Sequence, residues 1–155
     1  MRLWKLEVET MLQDPPSSWV KMFREQGLPN KPSIEQVLSL LDRTAGSNSS
    51  SERETSEQNP KKYAPPAKVR TEAFKGIQLS YEHNYPSYNG IGLARAVQLA
   101  TQEKIWANSV NRMQAFFGRN KRYTDYEFND AKPGKSYLAW LNWGGCSGRD
   151  WVESL

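Results

Sequence analysis

Few residues in this chain have side chains suited to catalysis. The sole cysteine, Cys146, sits in GGCSG, where flanking glycines can expose a thiol at a tight turn. A nucleophilic thiol needs a base, and the only imidazole is His83 in YEHNYP. No spacing positions that pair, and a free cysteine usually packs as a small hydrophobe. No catalytic residue is therefore assigned, and His83 is read as a helix-end residue capping carbonyls. Gly90-Ile91-Gly92 is half of a dinucleotide signature without its preceding strand or third glycine, so it reads as a turn that starts a helix. Asp125, Glu127 and Asp130 are spaced loosely like ligands of a hard cation. Tyr126 and Phe128 alternate with them, and the glycine and distal glutamate of a calcium loop are missing. One histidine and one cysteine also exclude a His/Cys zinc site. The expectation is no metal, no cofactor and no enzyme activity.

Side chains suited to nucleic acid are better represented. Asn111, Arg112, Gln114, Arg119, Asn120, Lys121 and Arg122 fall on or just after one helical stretch, and such groups reach phosphates and base edges. Tyr123, Tyr126 and Phe128 interleave with Lys121, Arg122 and Lys132, as in loops that stack bases. The competing reading makes these aromatics core and rim residues, with the arginines on a solvated face. The helices from Leu93 to Phe117 could form a helix-turn-helix, although the connection across Thr101 to Ala107 is longer than that motif uses.

These residues must be held by a small scaffold. The chain has 155 residues, of which 37% are apolar, so a modest core with a polar appendage is expected. One cysteine excludes an internal disulfide. No apolar run suits a membrane span, and MRLWKLEVETML is too charged for a signal peptide. The net charge of +4 is unevenly spread. Residues 1–59 hold seven Lys/Arg against nine Asp/Glu, and residues 60–155 hold fourteen against eight. A basic C-terminal part suits an acidic partner, or is simply a lysine- and arginine-rich surface.

Three segments follow from the pattern. Residues 1–43 read as short elements between prolines: Leu3, Leu6, Val8 and Met11 on a strand or short helix, then a helix capped by Ser17 or Ser18 through Trp19, Val20, Met22 and Phe23. A third begins at Ser33, with Ile34, Val37, Leu38 and Leu41 at helical spacing. This segment either packs on the rest of the chain or is a docking arm for a partner protein, through Trp4, Trp19, Phe23, Leu38 and Leu41. Residues 44–68 are a Ser/Glu/Pro linker that alone cannot offset its backbone entropy. Residues 69–155 read as a basic helical domain: Phe74, Ile77 and Tyr81; Leu93, Ala96, Val97 and Ala100; Val110, Met113 and Phe117, capped by Asn108 or Ser109; then a helix opened at Ser136, stopped by Gly144 and Gly145, and a last turn capped by Ser147. The expected class is all-α, a compact bundle of four to five short helices with an extended N-terminal helical arm, and no strong strand hairpin.

Three stretches, GIGLARAVQLA (90–100), VNRMQAFFGRN (110–120) and SYLAWLNWGGCSGRDW (136–151), together resemble a small uncharacterised helical module of bacteriophage proteins, sometimes beside or fused to head-assembly proteins. The resemblance covers residues 74–152. Asn120 stands where an Arg-His pair is usual after Phe-Phe, and Cys146 where an Asp usually follows Gly-Gly. The resemblance implies a non-enzymatic phage structural or assembly protein, in the virion or host cytoplasm, with other virion proteins as partners. An alternative is a DNA- or RNA-binding accessory protein using Arg112, Arg119, Lys121 and Arg122, and a further one is an inhibitor of a host enzyme. Under the docking-arm reading, removing residues 1–43 should leave the 69–155 fold intact.

Overall fold

A sixteen-residue helix, Ala67–Glu82, starts directly after Pro65-Pro66 and organises everything else. The computed structural model describes residues 3–42, 60–120 and 130–155. Among them are eight α-helices: α1 (Lys5–Gln13), α2 (Ser17–Glu25), α3 (Ile34–Leu38), α4 (Ala67–Glu82), α5 (Ile91–Thr101), α6 (Ala107–Arg119), α7 (Lys135–Asn142) and α8 (Gly145–Glu153). The all-α class expected from the periodicity is observed. Helix α4 packs against α5, α7 and α8, while α6 packs chiefly on α8. No helix among the described residues is long and apolar enough to cross a membrane.

The N-terminal segment takes the packed alternative. Val8, Leu12, Trp19, Met22, Phe23, Val37, Leu40 and Leu41 belong to one hydrophobic cluster with Val69, Phe74, Ile77, Leu93, Val97 and Phe117. Trp19 is 1% exposed, Phe23 0% and Leu41 4%. Trp4 stacks on Phe74 with ring centroids 4.1 Å apart, and its amide donates to Ala100 O at 2.9 Å. Leu38 is half-buried against the same core. The five residues expected to dock a partner are therefore spent within the chain. Among the described residues, 3–42 lay their apolar faces into one core with the helices that follow.

Polar contacts stitch the same seam. The α2 N-terminus is capped by Asn84, whose Oδ1 accepts from the Ser18 amide at 2.9 Å, and not by the side chain of Ser17 or Ser18. Trp19 Nε1 donates to Tyr85 O at 2.6 Å, and the Tyr81 hydroxyl donates to Asp14 O at 2.7 Å. The Ser33 cap is as expected, with Gln36 completing a reciprocal capping box. Helix α3 ends earlier than its stripe suggested. The chain tightens into a 3-10 turn over Ser39–Asp42, whose sharper rotation turns Leu40 inward beside Leu41 and leaves Leu38 at the rim.

Two further differences have local causes. Residues Lys62–Tyr63 (β1), within the expected linker, pair antiparallel with Ile105–Trp106 (β2), a ribbon too short and too distant in sequence to show as a hairpin. Residues 44–59 of that linker lie outside the described residues. Helix α6 starts at Ala107, before Asn108 and Ser109, because the ribbon already holds its first amide: Ala107 N–H donates to Lys61 O at 2.9 Å. With β2 in the connection and α6 lying on α8, α5 and α6 do not form a helix-turn-helix.

Candidate functional site

A cleft of about 440 Å³ opens between the 85–92 turn, α5, α6 and α7. Its wall carries Arg95, Arg112 and Arg119 and no carboxylate among the described residues. Arg112 and Arg119 stand seven residues apart on α6, two turns along one face, roughly 10 Å. Arg95 comes from the middle of α5 and is 0% exposed. Its guanidinium lies over the Trp143 ring at 4.8 Å and donates from Nη1 to Gln98 Oε1. Gln98 is fixed in turn by donating to Ser109 Oγ at 2.9 Å. Phe116 stacks on Trp143 with centroids 4.6 Å apart and planes within 5°. Guanidinium, indole and phenyl thus form one ordered pile along the wall.

The 85–92 turn forms the opposite lip. Ser87 and Gly90 have positive φ, +53° and +81°, so the chain reverses sharply before α5. The turn is pinned by Ser87 Oγ accepting from Leu93 N–H at 3.3 Å and by Asn89 Oδ1 accepting from Ile91 N–H at 3.1 Å. Gly90-Ile91-Gly92 is thus the helix-starting turn read from the sequence. It presents Tyr88 outward at 97% exposure beside the arginines, while burial pushes the Tyr85 hydroxyl above the usual phenol range. At the cleft wall Asn142 is 0% exposed, and neither atom of its carboxamide has a hydrogen-bond partner. Its Oδ1 lies against Gly76 of α4, and its Nδ2 faces the cleft side, toward Gly92 and Ser87. An unmet buried polar group costs about 1–3 kcal/mol, so its presence on a cavity wall asks for a ligand.

A second cavity, about 300 Å³, contains Glu72, Lys75, Asp130, Tyr137 and Cys146. Its charges are satisfied internally. Lys75 Nζ lies 2.8 Å from Asp130 Oδ2, and the Tyr137 hydroxyl donates to Asp130 Oδ1. Lys75, then Tyr137, hold the Asp130 carboxyl below the usual carboxylate range, and Asp130 raises the Lys75 ammonium. Glu72 Oε2 accepts from the Ser147 amide at 2.8 Å, capping α8, which the bare Cα of Gly145 permits. Cys146 is level with Glu72, whereas His83 is the α4 C-cap eleven residues on, roughly 16 Å along the axis. The structure does not bring the thiol and imidazole together.

Of the residues expected to contact nucleic acid, Arg112 and Arg119 share the first cleft, and Lys121 and Arg122 lie outside the described residues. The aromatics Tyr123, Tyr126 and Phe128 and the carboxylates Asp125 and Glu127 also lie outside them. Gln114 donates to Val152 O at 2.7 Å and Asn120 to Phe116 O at 2.7 Å, so both are spent on the fold. Arg95, Tyr88 and Asn142 were not singled out from the sequence. The available signals were an arginine centred in the apolar GLARAVQLA and an asparagine between two tryptophans in AWLNW. Among the described residues no group of three His, Cys, Asp or Glu could hold a metal ion.

The fold and cleft define an all-α protein with a basic, aromatic-lined recess. Comparison with protein-family models, curated proteins and solved structures finds no match.

Proposed function

We propose that this chain is a non-enzymatic nucleic-acid-binding protein whose contact face is the cleft between α5, α6 and α7. The observation that carries this reading is the lining: Arg95, Arg112 and Arg119, from two helices, share one recess with aromatic side chains. Phosphates are the anions such spacing suits, since Arg112 and Arg119 face the same way two turns apart on a rigid helix. The test is fluorescence anisotropy against labelled DNA across a salt series. Replacing Arg112 and Arg119 together by alanine should lower the log–log slope by about 1.4 for a single strand. Absence of binding at low salt would remove the reading.

A second reading, a phage assembly component, is favoured by where the resemblance falls. Arg95, Arg112, Phe116, Ala139 and Trp143, drawn from all three matching stretches, line the same cleft. A shared recognition surface for virion proteins would concentrate its signature in this way. Stoichiometric presence in purified particles, measured by quantitative mass spectrometry, tests it, and absence from particles would exclude it.

A further inference from the structure

Resting on the nucleic-acid reading, we infer that the cleft takes an unpaired base: a single strand enters it, with a ring carbonyl oxygen of the base on Asn142 Nδ2 and the neighbouring base on Tyr88. Three observations converge. The recess, about 440 Å³, is concave and of a size for one nucleotide, whereas a duplex would meet only its arginine rim. Asn142 Nδ2 is a buried donor without a partner, facing the cleft side. A base carbonyl supplies the acceptor it lacks, and the cationic wall supplies countercharge for the attached phosphate. Tyr88 is an aromatic ring almost wholly in solvent, held out by a turn whose backbone is pinned at Ser87 and Asn89. A preset exposed ring beside arginines is a stacking platform for a base that is not paired.

Gly92 makes the recess testable without touching the core. A Cβ there would sit 3.5 Å from Asn142 Nδ2 and 3.5 Å from Ser87 Cβ, an ordinary contact, so the Gly92→Ala methyl fits but occupies the space before the amide. Alanine also favours the helix. The experiment uses the full chain with three fluorescein-labelled probes at low salt: a thymidine strand of about a dozen residues, an abasic strand of equal length, and a duplex. The thymidine strand should bind about tenfold tighter than either other probe. Tyr88→Ala and Gly92→Ala should each remove about tenfold of that affinity, leave abasic binding unchanged and not lower the melting temperature. An abasic strand that binds as well as thymidine, a preference for duplex, or two variants that bind as wild type would overturn the base subsite while the nucleic-acid reading stands. If none of the three probes binds, both fall.

Discussion

The seam between the N-terminal helices and α4 and the cleft between α5 and α7 are built from similar materials. Each joins aromatic rings, apolar side chains and a few polar groups at a helix junction. They differ in how the polar groups end. At the seam, Trp19 Nε1, the Ser18 amide and the Tyr81 hydroxyl find acceptors within the chain, while the buried Ser18 Oγ has no partner. At the cleft, the Asn142 carboxamide finds none, and Tyr88 stands in solvent. Large apolar side chains alone do not separate a core from a docking surface, and an unmet polar group bears on binding only where, like Asn142, it lines a cavity. Trp19, Phe23 and Leu41 are buried in the shared core, which leaves them no exposed surface for a partner in this fold.

The largest effect expected from breaking this contrast is at Trp19. Trp19→Ala removes a buried ring, leaves Tyr85 O without its donor and should cost about 3–5 kcal/mol. Because the core is shared, the whole chain should lose stability in one urea transition followed by far-UV circular dichroism. A variant in which the C-terminal helices unfold at the wild-type denaturant concentration would restore an independent arm. No equally large change is expected from Tyr88→Ala, whose ring contributes almost no buried area.

How far each region could be read from the sequence follows from the range of its interactions. Local periodicity placed most helices, and the Ser33 cap was visible because its partner Gln36 is three residues away. The cap of α2 was not, since Asn84 lies 66 residues beyond Ser18. The start of α6 was misplaced for the same reason, being set by a ribbon with Lys61 and Lys62. In the cleft, Arg112 and Arg119 were legible as a basic helical face. Arg95 and Asn142 were hidden because a polar residue in an apolar helix gains meaning only from what the fold sets opposite it, here Trp143 for one and Gly76 and Gly92 for the other.

A smaller effect should sharpen the account of the cleft wall. Trp143 is held by the turn between α7 and α8, where Gly144 and Gly145 have φ of +109° and +66°. A Cβ on Gly145 would fall 2.7 Å from the Glu72 carboxyl carbon, so Gly145→Ala must displace the cap on Ser147 and strain the backbone. A loss of about 1–3 kcal/mol in urea unfolding is expected. The same variant should weaken binding at the cleft, since Trp143 supports both Arg95 and Phe116. Unchanged stability would mean that Glu72 does not cap α8 in solution.

The smallest effect belongs to a polar contact that is satisfied but open to water. Lys75 and Asp130 form an ion pair whose side chains are 41% and 54% exposed, so screening holds its worth under about 1 kcal/mol. The Asp130 carboxyl, lowered first by Lys75 and then by Tyr137, contributes stability at pH above the usual carboxylate range. That contribution is lost as pH falls through its depressed value. Lys75, raised chiefly by Asp130, contributes below the usual ammonium range and loses its contribution as pH rises through the elevated value. Between the two limits the pair should be flat with pH. Asp130→Asn should therefore differ from wild type by less than about 1 kcal/mol in urea unfolding at neutral pH, with the difference vanishing in acid. A difference several times larger would mean that this cavity, and not the seam alone, holds polar groups on which the fold depends.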